Sequence, residues 1–242
     1  MAGAPAALAD EIRLFSGGAP QHALRTLTVE FEQATGHRVA STFALVTAIQ
    51  QKMEAGEKAD LLLLPVPLIA AVEKAVAMRP EGRGVLVQVG IGVIVREGAP
   101  RPDISTPEAV RKLLIDARAI AVPRPDTPSG AHLDRMIGQF GIADAVRPKL
   151  VIKAAIDGGG ELVARGEADV GMYLVSEVQS IKGIAVAGLL PAPVQNYVRY
   201  GSAIPADNAT PAAALAFLKF ISDPAKATQW TAAGFELVGG NN

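Results

Sequence analysis

Apolar residues recur along this chain with two periods, and the switching between them predicts the elements. Ile12 and Leu14 alternate with other residues and give way to Ser16-Gly17-Gly18, after which Leu24, Leu27, Phe31 and Ala34 recur at helical spacing. The pattern predicts a strand, a glycine turn and a helix, with Pro20 near the first helical position, where its missing N–H costs nothing. Residues 38–44 read as a second strand and 48–55 as a short helix stopped by Gly56. Residues 59–64 carry a continuous apolar run ended by Pro65, the pattern of a strand covered on both faces. Three strand–helix repeats by residue 75 predict an open, largely parallel α/β sheet.

The same grammar returns further on. Residues 84–95 are strand-like, and 98–102 have the Gly/Pro composition of a linker, which marks a change of lobe. Thr106-Pro107-Glu108 opens a helix through Leu113 and Leu114, with Thr as cap and Pro at the first position. A strand at 119–122 leads through the turn at 123–130 to a helix at 131–140. A strand at 151–155, the Asp157-Gly158-Gly159-Gly160 turn, a helix at 161–165 and a strand at 169–175 follow. Residues 196–204 return the chain to the first lobe, where Thr210-Pro211 and Asp223-Pro224 open the last two helices. The expected division is 10–83 with 201–242 as one lobe, 99–195 as the other, and 84–98 and 196–200 as crossing segments.

Composition narrows the class. Half of the 242 residues are hydrophobic and 19% are charged, which suits a well-packed globular chain. The net charge of −1 has no basic stripe, and counterion displacement from nucleic acid needs one, so no nucleic-acid partner is expected. With no cysteine there are no disulfides, thiolate metal sites or cysteine nucleophiles. No uninterrupted apolar run approaches the ~20 residues that span a bilayer. Residues 2–9 are small and apolar, and Ala7-Leu8-Ala9 before Asp10 has the form of a signal-peptidase site without a basic n-region. That reads as the trimmed tail of an export signal and predicts a periplasmic location; an Ala-rich leader on a cytoplasmic protein is the alternative.

Candidate chemistry lies in the turns. Helix starts carry unpaired N–H groups and a partial positive charge, so Ser16, Gly17 and Gly18, then Thr127, Ser129 and Gly130, then Gly158 and Gly159 are candidate anion contacts. Each has a bland alternative as a tight turn or helix lead-in. Arg124 has the fork to grip a carboxylate, or is a solvated loop arginine; Arg199 and Tyr200 are weaker candidates. His22 and His132 fall in first turns of helices, where a neutral imidazole serves as general base, or else lie idle on a helix surface. The histidine spacings match no zinc motif. Neither a Gly-x-Ser-x-Gly elbow nor a phosphate loop is present, so no metal or cofactor is expected.

Three phrases together carry a resemblance: Glu54-Ala55-Gly56 with Ala59-Asp60-Leu61, then Gly166-Glu167-Ala168-Asp169-Val170-Gly171, then Phe217-Leu218 through Gly234-Phe235. In that order and spacing they resemble the periplasmic molybdate-binding proteins, which are type II solute-binding proteins of ABC importers. The resemblance implies two Rossmann-like α/β lobes, joined by two crossover strands, that close on a small anion (the type II periplasmic binding protein fold). The ligand positions depart from that family. Ala19 stands where its serine is, Ala44-Leu45-Val46-Thr47 leaves Thr47 as the one hydroxyl of the second turn, and Pro65-Val66 replaces Ala-Asp. Its late-strand tyrosine falls at Leu174, with Tyr173 one position earlier. Two functions follow. One is a binder of a small carboxylate or oxyanion that serves the membrane subunits of an importer. The alternative is an isomerase of a small unsaturated polycarboxylate, similar to aconitate isomerase, with His22 or His132 as base.

Overall fold

The first apolar run forms strand β1 (Glu11–Gly17), whose Ile12, Leu14 and Phe15 are buried. The computed structural model describes residues 9–238. A glycine turn leads into helix α1 (Gln21–Thr35), which buries Ala23, Leu24, Leu27 and Phe31 and ends at Gly36 in the left-handed conformation. Strand β2 (Arg38–Ala44), helix α2 (Val46–Glu54), strand β3 (Leu61–Pro65), helix α3 (Val66–Val72) and strand β4 (Met78–Val89) follow. Every residue of β3 is buried, as a strand sandwiched between helices must be.

The second unit contains β5 (Ile91–Arg96), α4 (Pro107–Asp116), β6 (Ile120–Val122), α5 (Pro128–Gln139), α6 (Ala143–Val146) and β7 (Leu150–Ile152). It continues with α7 (Gly159–Ala164), β8 (Val170–Leu174), α8 (Val175–Val178) and β9 (Ile184–Leu189). Thr106 and Thr127 cap α4 and α5 through their hydroxyls, with a proline just inside each helix. Strand β7 is shorter than expected, because residues after it turn into a 3-10 segment, Ala155–Asp157, ahead of α7. The chain then adds β10 (Val198–Pro205), α9 (Pro211–Ser222), α10 (Ala227–Ala232) and β11 (Glu236–Leu237).

Two sheets result, ordered β11-β4-β10-β3-β1-β2 and β7-β6-β8-β5-β9. In the first, β2, β1 and β3 are parallel, while β10 runs antiparallel to β3 and β4. In the second, β7, β6 and β8 are parallel and β5 is antiparallel to β8. The architecture is two α/β lobes linked twice. The residues 84–95, continuous in the apolar pattern, belong to two sheets: β4 ends at Val89 and β5 starts at Ile91, with Gly90 between them. A Cβ on Gly90 would lie 3.1 Å from Gln195 Nε2, so glycine admits the second crossing, residues 190–197, beside the first. There Gln195 Oε1 accepts from the Ile91 N–H at 3.0 Å, and its Nε2 donates to the Ile91 carbonyl at 2.9 Å.

Both lobes pin the start of their innermost strand in the same way. Ahead of β3, Asp60 accepts from the Arg13 backbone N–H and Nε, each at 2.8 Å, and from Nη2 at 3.0 Å. Burial pushes the Asp60 carboxyl up, but the Arg13 hydrogen bonds outweigh it and hold the group below the usual range. Ahead of β8, Asp169 accepts from the Arg118 N–H at 2.7 Å and from Nη2 at 2.6 Å. The acids of two of the three quoted phrases thus serve folding. In the third phrase, Phe217 meets Phe31 edge-on at 4.9 Å and Phe235 packs on Trp230, which docks the last helices onto α1.

Candidate functional site

The residues that follow β1, β2, β6 and β8 face one another between the lobes, at the carboxyl ends of strands, where open α/β sheets hold ligands. They enclose a cavity of about 40 Å³, which holds about three water-sized groups. The first lobe lines it with Gly18, Ala44, Leu45, Val46, Val198 and Tyr200. The second supplies Pro123, Thr127, Pro128, Ser129, the stretch Ala154–Ile156, Leu174 and Glu177. The lobes touch across it, since a Cβ on Gly18 would lie 3.3 Å from Ile156 Cδ1.

Two helices of ordinary length begin at this cavity. Helix α2 starts at Val46 with no side-chain cap, so its first N–H groups have no partner within the helix. Helix α5 starts at Pro128, and the Thr127 hydroxyl accepts from the Gly130 N–H at 3.2 Å while donating to the Arg124 carbonyl at 2.7 Å. Ser129 is buried beside it, with its hydroxyl 3.5 Å from that of Thr127. The positive ends of two helix dipoles therefore meet in a space whose remaining walls are mostly aliphatic.

Glu177 in α8 is the ionisable group at the centre. It lines this cavity and a wider neighbouring one, and burial among protein atoms pushes its pKa up to about 7. Tyr200 is buried opposite; loss of water, and secondarily the charge of Glu177, raise its pKa well above the usual phenol value. Sequence reasoning passed over Glu177. The available signal was its place: the first turn of a helix directly after a wholly buried strand.

The other expected residues are placed as follows. Ser16 is fully buried and its hydroxyl donates to backbone carbonyls of Leu63 and Gly17, so it holds β1 rather than lining the space. Gly17 packs under Val46 and Tyr200. Thr47 sits in the first turn of α2 beyond the lining residues. Gly130 is needed by the turn itself, because a Cβ there would lie 2.0 Å from the Arg124 carbonyl oxygen. Arg124 is exposed and grips Asp126 with Nε at 3.1 Å and Nη2 at 3.0 Å. The glycine run is filled from within: a Cβ on Gly159 would sit 2.4 Å from the Tyr173 hydroxyl, and Gly158 takes a left-handed φ of 93°. Tyr173 is buried, donates to the Lys153 carbonyl at 2.9 Å and faces the core of the second lobe. His132 donates Nε2–H to the Val194 carbonyl at 2.8 Å, tying α5 to the second crossing. His22 is exposed and lines the wider neighbouring cavity.

No group of three or more potential metal-ligating side chains occurs among the described residues, and no helix among them is long and apolar enough to cross a membrane. A model of the family described as bacterial extracellular solute-binding protein matches residues 12–236. The aconitate isomerase of a Pseudomonas species is 29% identical over 90% of this chain and 85% of its own. The molybdate-binding protein ModA of Escherichia coli is 26% identical over 96% of this chain and 91% of its own. The periplasmic molybdate-binding protein of Azotobacter vinelandii superposes with a TM-score of 0.75 at 17% identity, covering 93% of this chain and 98% of that one.

Proposed function

Because the chain belongs to the bacterial extracellular solute-binding proteins, we propose that it binds a small carboxylate between its lobes, in the periplasm, and presents it to the membrane subunits of an ABC importer. The observation that carries this reading is the cavity at the starts of α2 and α5. Unpaired N–H groups there favour an anion without a cationic side chain. The walls decide between kinds of anion. Leu45, Val46, Leu174 and Val198 offer a tetrahedral oxyanion nothing to bond, whereas they cover the carbon skeleton of a carboxylate. A protonated Glu177 adds one donor to the carboxylate, and an ionised one repels it. Similarity to molybdate-binding proteins supports an anion site, and similarity to aconitate isomerase supports a carboxylate.

Calorimetric titration of the purified chain with succinate, acetate, sulfate and molybdate tests the reading. One-to-one binding of a carboxylate that raises the unfolding temperature is expected. Binding of molybdate or sulfate alone would replace the ligand class, and absence of binding by any anion would refute the proposal.

One observation favours a second reading, an isomerase on the same scaffold. Glu177, with a pKa of about 7, is matched to moving a proton near neutrality. In that chemistry the carboxylate removes a proton from a methylene carbon allylic to the double bond. The electron pair shifts along the three carbons, and the proton is returned at the far end. Helix-start N–H groups stabilise the charge that builds on the substrate carboxylate. Of the two candidate histidines, His132 is held by the Val194 carbonyl and His22 stands in the wider cavity. Ultraviolet absorbance of cis- and trans-aconitate with wild type and Glu177→Gln separates the readings: turnover lost in the variant supports catalysis, and no turnover by wild type removes it.

A further inference from the structure

The wider cavity adjoins the first one and shares Gly18, Ala155, Ile156 and Glu177 with it. It encloses about 240 Å³ and adds Gln21, His22 and Arg25 from the first lobe and Glu161, Ser176, Ser180 and Ile181 from the second. The cleft is therefore two chambers, and the Ile156 side chain lying over Gly18 is the partition. Only the inner chamber has the starts of α2 and α5.

Two polar groups on the outer chamber are buried without a hydrogen-bond partner. One is the hydroxyl of Ser176, a residue only 5% exposed; the other is Oε2 of Glu161. A buried polar atom without a partner costs free energy, and the great majority in folded proteins are paired. A carboxylate oxygen only accepts, so what completes Glu161 is a donor, and Ser176 can accept from the same group. Arg25 at the rim is already occupied, stacked over the Phe43 ring at 5.7 Å.

The geometry points to a ligand that is a carboxylic acid bearing a hydroxyl or ammonium group, its carboxylate in the inner chamber and its donor group reaching past Ile156 to Glu161 and Ser176. The inference rests on the carboxylate reading above and deepens it: the inner chamber selects the charge, and the outer chamber selects the substituent. A site built around a buried acceptor discriminates strongly against a ligand that leaves it unpaired.

Titration calorimetry with succinate, malate and aspartate tests it, since the three share a four-carbon skeleton and differ by hydrogen, hydroxyl or ammonium. Malate or aspartate should bind at least about tenfold tighter than succinate, and which of the two leads tells hydroxyl from ammonium. Glu161→Gln and Ser176→Ala should each bring that ratio towards one. If the three acids bind within about threefold of each other, or the preference survives both variants, the inference is overturned while the carboxylate site stands. If none of them binds, the underlying reading fails and takes this one with it. Unliganded Ser176→Ala should melt no lower than wild type, because its hydroxyl bonds nothing; a fall of more than about 3 °C would show a structural role and overturn the inference.

Discussion

The two lobes begin their innermost strands alike and end them differently. At the start, Asp60 with Arg13 and Asp169 with Arg118 form the same acid–arginine staple, but the Asp60 side chain is 1% exposed and that of Asp169 29%. At the other end, the first lobe meets the cavity with glycine, alanine, valine, leucine and one buried tyrosine, whereas the second brings Thr127, Ser129 and Glu177. One lobe thus invests its buried polar chemistry in its own fold, and the other places it where a ligand arrives. The lesson is a division of labour: the second lobe selects, and the first covers.

The comparison breaks most visibly at the staples. Asp60→Ala strands a buried backbone N–H and half of a guanidinium, and should lower unfolding free energy by about 4 kcal/mol in urea titrations. Asp169→Ala, at a solvated site, should cost a small fraction of that. Equal losses would show that burial does not separate the two lobes.

Glu177 sharpens the contrast through pH. Its folded pKa of about 7 lies above the ordinary 4.5, so the folded state keeps a proton that the unfolded chain releases. Stability from this group is full below about pH 4.5 and is lost as pH rises through 7, amounting to up to about 3 kcal/mol. Denaturation midpoints between pH 5 and 8 should fall in wild type and stay nearly level in Glu177→Gln. A matching slope in both proteins would move the titrating group elsewhere. Thr127→Ala removes the cap of α5 and should cost about 1 kcal/mol, with weaker ligand binding as the helix start loosens. Arg124→Ala, whose partner is Asp126 at the surface, should leave both the melting temperature and ligand affinity unchanged. A loss of affinity there would extend the site beyond the cavity.

Much of the fold was legible because its signals are local. The run Leu61–Leu64 carries its own burial, and Thr106-Pro107 and Thr127-Pro128 carry their own helix starts. The division of residues 84–95 was not, since both halves are equally apolar and only the neighbour at Gly90, a glutamine more than a hundred residues away, distinguishes them. The candidate site was legible at Gly18, Thr127 and Ser129, which are turn residues at helix starts. Arg124 found an acid two residues on, and the glycine run was claimed by Tyr173 from the strand that packs on it. Glu177 was hidden for a related reason: an acid in a helix's first turn is an ordinary dipole partner, and its burial is created by the first lobe.

Gln195 has a mechanical consequence. By bonding both the N–H and the carbonyl of Ile91, one amide laces together the only two threads that join the halves among the described residues. Laced threads cannot slide past each other, so the halves are left a single arc of swing, like covers on one spine. Whatever enters must be admitted along that arc.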